Sequence, residues 1–466
     1  MKDRYKEISV SKNDIMAAKR KGNEGLAQLL GTASNSTDLV FILENVGSIP
    51  QSFGSDCFVK LLSHENKDVR LWAVKNLGKL KSIDLLPILK EVVDRDPNTT
   101  VKREAVSSIG RIRSEETIPL LISILQNEDP KIVCQAIRGL LVFKGKTEVD
   151  THLKALIKHK NEMVVSVITK EYYCDNKQND NRIRHNQTYP FLINVVVKGD
   201  VRDVLKYVPD ASVHLTFTSP PYYNARDYSI YPSYEAYLEF LEEVFRETYR
   251  ITKEGRFLIV NTSPVIVPRI SRAHSSKRYP IPFDIHHDLT KMGWEFIDDI
   301  VWMKPEYSVK NRIGGFQQHR KPLAYKPNSV TEYLMVYRKQ TTRLLDWNIH
   351  QYSKEIVEKS KVPDGFETTN VWQINPKPDK VHSAIFPYDL CKRVIEYYSF
   401  INDLIFDPFG GSGTLGRTAK SLNRNFFMTE KDPIYFDYMK SFPRANMFDE
   451  KPTQFLTIEQ FKETTI

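Results

Sequence analysis

Between about residues 55 and 173 the sequence repeats every 31 or 32 residues, and very few folds can absorb such a period. Val69, Val101, Ile132 and Val164 hold equivalent places in four successive copies, the fourth being the faintest. In the first three, an alanine follows four residues later (Ala73, Ala105, Ala136) and a Leu or Ile eight residues later (Leu77, Ile109, Leu140). That spacing lays one apolar stripe along a helix, and the small alanine lets a second helix come close. Further helices are expected over 83–93 and 117–125, with Pro87 and Pro119 in register. A two-helix unit of this length cannot bury its stripe alone, so an all-α solenoid of stacked copies is expected for 55–174. Residues 1–54 are less regular and read as a helical cap, with helices near 14–21 and 24–30. Residues 175–189, polar and rich in asparagine, read as a linker.

The pattern changes after residue 190. Short apolar runs alternate with helical stretches, and strands are expected at 191–197, 213–217, 256–261, 294–302, 330–337, 404–406 and 426–429. Ser233 is placed to cap a helix that reaches about 253 and is closed by Gly255, and Gly293 closes another over 283–292. This alternation predicts an α/β domain over 190–450, with a parallel-type sheet covered on both faces. Residues 451–466 read as a C-terminal tail.

Two strand ends in this domain carry chemistry. The apolar run 213–217 stops at Thr218-Ser219-Pro220-Pro221-Tyr222, because consecutive prolines cannot donate ladder hydrogen bonds. Alone, this is an ordinary strand terminator. Its rigid carbonyls beside a tyrosine ring also suit a flat heterocycle that carries an amino group. The second end is Asp407-Pro408-Phe409-Gly410-Gly411-Ser412-Gly413-Thr414, between a strand and a helix. Its glycines allow a sharp turn and close approach of a ligand. The free N–H groups of the next helix suit a carboxylate and Asp407 suits an ammonium, so one loop can hold an amino acid zwitterion. Glu430 follows the next strand, where a carboxylate can clasp a ribose diol. Nucleoside plus amino acid describes S-adenosyl-L-methionine. The spacing is neither G-x-G-x-x-G nor a phosphate loop ending in G-K-[ST], and a plain structural turn is its other reading.

Charge and cysteine usage narrow the partners. Lys and Arg number 67 against 58 Asp and Glu, a net +9 that favours an anionic partner. In 304–343, nine Lys or Arg stand against two acids, interleaved with Tyr307, Phe316 and Tyr325. Such a stretch suits phosphate and base-edge contacts, or is a solvated basic loop. No run of 18 apolar residues is present to cross a membrane and no apolar leader opens the chain, so a cytoplasmic protein is expected. Four cysteines at scattered positions predict reduced thiols and no metal site.

Together these stretches resemble the β group of amino-directed DNA methyltransferases, in which the catalytic segment precedes the cofactor loop. The likeness runs from about 190 to 445. It includes Gly199-Asp200, Trp302-Met303-Lys304-Pro305, Glu332 and His382-Ser383-Ala384-Ile385-Phe386-Pro387 as well as the two loops. The repeats resemble short HEAT-type units. The resemblance implies a circularly permuted, Rossmann-like methyltransferase domain, with S-adenosyl-L-methionine as cofactor and double-stranded DNA as substrate. It implies that Tyr222 stacks on a base swung out of the duplex while Ser219 and Pro220 accept the amino hydrogens, Pro221 completing the tetrad. It places Asp407, Phe409, Gly410, Gly411, Ser412, Gly413, Thr414 and Glu430 at the cofactor. Asp200, Phe386 and Pro387 are further contacts, although Phe386-Pro387 reads equally as a helix start. DNA contacts are expected from Arg226, Arg272, Lys277, Arg278, Arg312, Arg320, Lys321 and Lys326, with target recognition inside 265–380. Gly410 stands where the family more often has alanine, and Leu415 where it often has threonine.

A serine-led tetrad is commoner in enzymes acting on cytosine N4 than on adenine N6. Cytosine N4 methylation within a restriction-modification system is therefore the expected function. Adenine N6 as target, or a scaffold with a silent methyltransferase domain, are the alternatives. The repeats are expected to extend the grip on DNA or to dock a partner such as a cognate restriction endonuclease.

Overall fold

The computed structural model describes residues 8–50, 53–173, 184–223, 231–267, 271, 273, 276–376, 386–441 and 452–465. The chain divides into two compact units, Met1–Gln178 and Asn179–Ile466. No helix among the described residues is long and apolar enough to cross a membrane.

In the first unit the repeated stripe is helical, in Lys67–Leu80, Thr99–Ile112, Pro130–Leu140 and Glu162–Ile168. Each helix starts where a short polar side chain caps it: Asn66, Asn98, Asp129 and Asn161 accept from N–H groups of the first turn. Val69, Ala73 and Leu77 are buried, as are their counterparts in the next two copies. Partner helices Leu86–Arg95 and Ile118–Ile124 carry Pro87 and Pro119 in their first turns, where a missing N–H leaves no bond unmade. Arg70 grips Asp96 through bonds of 2.8 and 3.1 Å, and Arg103 does the same to Asp129 one repeat later. Gly110 and Gly139 face each other so closely that a Cβ on Gly110 would lie 2.9 Å from the Gly139 Cα. The cap holds three helices, Lys12–Arg20, Gly22–Thr32 and Ser36–Asn45, one more than the sequence pattern indicates.

The second unit has strands β1 Val195–Lys198, β2 Val213–Thr218, β3 Thr252–Thr262, β4 Val265–Val267, β5 Lys277–Tyr279 and β6 Trp294–Met303. They continue with β7 Thr331–Lys339, β8 Val371–Gln373, β9 Leu404–Asp407, β10 Asn425–Glu430 and β11 Gln454–Thr457. Nine of them form one sheet in the order β11-β1-β10-β9-β2-β3-β7-β6-β8, while β4 and β5 pair separately. Neighbours from β11 to β3 run parallel, and β7 runs antiparallel to both β3 and β6. Parallel strands are buried on both faces, which explains the continuous apolar runs. Val196 joins one core with the helices Tyr388–Tyr398 and Thr414–Ser421, while Val195 and Val197 join another with helix Tyr234–Ile251.

Two expectations change. Gly255 does not close the preceding helix, which ends at Ile251. It lies inside β3 at φ +68, where the pairing with β2 slips between Val213↔Thr252 and Leu215↔Phe257. Residues 454–457 are not a free tail: they pair with β1 along its whole length, and Phe461 behind them is fully buried. At the amino ends of the strands, buried Arg256 pairs with Asp403, whose other oxygen accepts the Tyr352 hydroxyl at 2.6 Å. Asn348 donates to the Glu254 carbonyl at 3.0 Å. Residues 345–352, part of the stretch expected to recognise the target, are thus fastened at the end of the sheet opposite the two loops.

Candidate active site

The carboxyl ends of β1, β2, β3, β9 and β10 converge on a cavity of about 760 Å³, where parallel α/β sheets bind their ligands. β9 and β2 are neighbours, so the two loops face each other although 189 positions separate Thr218 from Asp407. The Thr218 hydroxyl donates to Asp407 Oδ1 at 2.8 Å, and the Phe409 N–H donates to the same oxygen at 3.0 Å. Asp407 therefore clamps the tetrad strand to the glycine-rich loop. Burial pushes its carboxyl up to about 6, against the pull of the two donors.

The glycine-rich loop wraps tightly around the end of β10. The Gly410 N–H reaches the Thr429 carbonyl at 2.9 Å, and the N–H groups of Gly411 and Asp432 each reach the Glu430 carboxylate at 2.7 Å. Burial pushes Glu430 up to about 7. Gly411 and Gly413 hold left-handed backbone, and a Cβ on Gly413 would meet Met439 Sδ at 2.7 Å. Gly413 caps helix Thr414–Ser421 and offers no side-chain acceptor to its first N–H groups.

These residues fit a nucleoside joined to an amino acid. Glu430 and Asp407 supply acceptors for hydroxyls and an ammonium, and the helix start supplies donors for a carboxylate. Phe386, stacked on Phe217 at 4.4 Å, adds an apolar wall. Phe409, Gly410, Gly411, Ser412 and Thr414 all line the cavity. Gly413 shapes the turn without lining it, and Pro387 caps helix Tyr388–Tyr398 outside it. Asp200 lines the cavity but is already engaged. Burial raises its carboxyl, yet Arg202, 3.0 Å from each oxygen, outweighs that and holds it down at about 2.

At the other end of the cavity stand Ser219, Pro220, Pro221 and Tyr222, all on its wall. Here Glu332 of β7 collects three donors. Its Oε2 accepts the Tyr222 hydroxyl at 3.1 Å and Asn261 Nδ2 at 2.6 Å, and its Oε1 pairs with the Lys304 ammonium. Asn261 Nδ2 also reaches Ser219 Oγ at 3.5 Å, and Lys304 Nζ lies 4.4 Å over the Trp302 ring. Burial, then the Glu332 charge, pushes the Tyr222 hydroxyl far above its ordinary value. The sequence pattern gives Lys304 and Glu332 no role and does not single out Asn261. One signal was present: Asn261, like Thr218, Asp407 and Glu430, is a polar residue near the end of an apolar strand.

Of the residues expected to meet DNA, Lys277 and Arg278 are exposed on β5. Arg312 is pushed down by partial burial and by the nearby Arg278, so two basic segments share one region. Arg320, Lys321 and Lys326 are exposed on the loop between β6 and β7. Arg226 and Arg272 lie outside the described residues, as do His382 to Ile385.

Parts of this chain are similar to known proteins. Residues 213–441 match the model of the DNA methylases of the N6/N4 family, and residues 23–107 and 86–169 match HEAT repeats. The type II beta methyltransferase M.BslI of Bacillus sp. (strain NEB-606) is 30% identical over 253 residues, covering 52% of this chain and 26% of that protein. The type II methyltransferase M.Cfr9I of Citrobacter freundii is 29% identical over 287 residues, covering 54% of this chain and 89% of that protein. Among solved structures, TTHA0409 of Thermus thermophilus, determined with S-adenosyl-L-methionine, is 28% identical with a TM-score of 0.46, over 57% of this chain and 98% of that one. The tetrad, the glycine-rich loop and Glu430 all fall inside the matched residues, so residues 213–441 carry a DNA methylase domain of the N6/N4 type, with HEAT repeats ahead of it.

Proposed function

We propose that this chain transfers the methyl group of S-adenosyl-L-methionine to cytosine N4 in double-stranded DNA, as the modification partner of a restriction-modification system in the cytoplasm of a prokaryotic cell. The Thr218–Asp407 bond carries this reading, because it sets the Ser-Pro-Pro-Tyr tetrad against the glycine-rich loop across one cavity. Both named relatives are type II methyltransferases. When bound, the cofactor supplies a methyl group on a positively charged sulfur, already a good leaving group. Asp407 and the start of helix Thr414–Ser421 hold its amino acid end, and Glu430 holds its ribose hydroxyls.

A paired base hides its amino group inside the duplex, so the target must swing out. In the cavity, Ser219 Oγ and the Pro220 carbonyl accept the two amino hydrogens. They turn the nitrogen lone pair toward the methyl group and face the positive charge that develops on nitrogen, which then sheds one of its two protons to water. Tyr222, its hydroxyl anchored on Glu332, supplies the ring face on which the base lies. The serine at the head of the tetrad favours cytosine N4.

The test is methyl transfer from labelled cofactor to DNA, followed by nucleoside mass spectrometry. N4-methylcytosine is the expected product. N6-methyladenine would keep the mechanism and replace the target base, and no methylated nucleoside from a cofactor-loaded protein would overturn the reading. The repeats, on this view, extend the grip on the duplex or hold a partner protein. Removing residues 1–178 without changing DNA affinity or partner capture would reject that role.

A further inference from the structure

The loop over 305–330 leaves β6 and returns to β7 at the mouth of the cavity. Its neck is closed by the Lys304 N–H on the Val330 carbonyl at 2.7 Å, and Lys304, Ser308 and Glu332 line the cavity beside it. The loop is braced from the neck outward. The Arg312 N–H donates to Asn328 Oδ1 at 2.6 Å, and Asn328 Nδ2 donates to Glu306 at 2.8 Å. Further out, Phe316 on helix Gly314–His319 meets the edge of Tyr325, with ring centroids 5.2 Å apart. Beyond that brace the chain turns, with the Ala324 N–H on the Lys321 carbonyl at 3.2 Å.

Leu323 sits on this turn. It is wholly exposed, at 103%, and holds left-handed backbone at φ +69. A side chain with a Cβ is disfavoured in that conformation, and an apolar one gains nothing from full contact with water. Glycine or asparagine would satisfy the turn better. Arg320, Lys321 and Lys326, all exposed, flank it. Cations to either side of an exposed apolar tip, with Leu323 its most exposed side chain, match a duplex, whose phosphates attract the cations and whose base steps admit an apolar wedge.

We infer that Leu323 enters the base stack and fills the gap left by the target base as it swings out, a role that rests on the methyl-transfer reading above. Extrusion unstacks the neighbours of the target and leaves their apolar faces unpaired with any ring. The leucine, carried on a braced loop rooted at the cavity mouth, covers those faces and holds the base in the extruded state. It is a positioning residue, since it acts on the stack and not on the reacting atoms.

The experiment first locates the modified site by sequencing plasmid DNA methylated by the wild-type protein. Absence of methylation at this step overturns the methyl-transfer reading and this inference with it. Single-turnover methylation is then measured for the wild type, Leu323→Gly and Leu323→Met. Each acts on a duplex bearing the site and on the same duplex with a mismatch opposite the target, where unpairing is cheaper. On the matched duplex, Leu323→Gly is expected to slow transfer by roughly 10-fold or more, and Leu323→Met to stay near wild type. On the mismatched duplex, Leu323→Gly should recover to within about threefold of wild type. Glycine accepts the turn's backbone, so the variant folds. Wild-type speed of Leu323→Gly on the matched duplex, or equal slowing on both duplexes, would overturn the inference while leaving methyl transfer itself established.

Discussion

A single carboxylate sets the tetrad end of the cavity. Glu332 fixes the Tyr222 hydroxyl and the Asn261 amide, and its charge is balanced by Lys304. Hydrogen bonds to charged groups contribute more than neutral ones, so Glu332→Gln is expected to lower the methyl-transfer rate by on the order of 10- to 100-fold. Cofactor affinity should stay unchanged, because Glu430 and Asp407 lie at the other end. Lys304→Met alone leaves a carboxylate without its countercharge, and the double variant should recover part of that loss. A cycle of rate measurements checks this, and strict additivity would refute the coupling. Glu430 gives a pH dependence with a defined sign. Its value is about 7 when folded against 4.5 ordinarily, so between these the folded chain keeps a proton that the unfolded chain has lost. That stabilises the folded state at low pH and is lost as pH rises through 7, with Asp407 acting likewise up to about 6. The melting temperature of the cofactor-free protein should therefore fall from pH 5 to pH 8, and fall less in Glu430→Gln. On the proposal that Glu430 accepts the ribose hydroxyls, which donate to the ionised form, cofactor affinity should rise through pH 7 with release of a proton. Titration calorimetry in two buffers of different ionisation heat would detect that proton, and a flat affinity between pH 6 and 8 would contradict the assignment.

Elements built on a period were legible, and elements built on strand order were not. The solenoid helices could be placed because Val, Ala and Leu recur at helical spacing and because Asn66, Asn98 and Asn161 cap them in register. The glycines at 110 and 139 show their purpose only in the packing, where two helices cross nearly backbone to backbone. Gly110→Val should destabilise the first unit by about 1–3 kcal/mol through overpacking, seen as a lower urea midpoint of the helical signal. The tetrad and the glycine-rich loop were legible because prolines and glycines punctuate a chain locally. The Glu332 cluster was not, because it depends on β7 lying antiparallel beside β3, with Asn261 against Leu334 and Glu332 two positions earlier. Nothing local announces that neighbour. Gly255 misled for a related reason: a left-handed glycine after a helix usually ends it, but here the helix had stopped at Ile251 and the glycine accommodates a slip in strand register.

At the scale of the molecule the two units solve different folding problems. The repeats touch near neighbours along the chain, as Arg70 does Asp96, whereas the methylase domain is tied together by partners such as Thr218 and Asp407. Distant pairings close large loops, so the domain should refold more slowly than the repeats, which stopped-flow fluorescence and far-ultraviolet circular dichroism can separate. Phe461 is fully buried behind β11. Phe461→Ala should cost about 3–5 kcal/mol and lower the melting temperature of the methylase domain. A structural consequence of β11 emerges during synthesis. β1 leaves the ribosome with neither of its sheet neighbours made: β10 arrives more than two hundred codons later, and β11 later still. Until translation passes residue 457, β1 presents an unpaired apolar edge, the kind of surface on which nascent chains aggregate. A ribosome that stalls after β10 would release a domain with its glycine-rich loop and tetrad in place but one flank open, and that product would need a chaperone or a protease rather than a substrate.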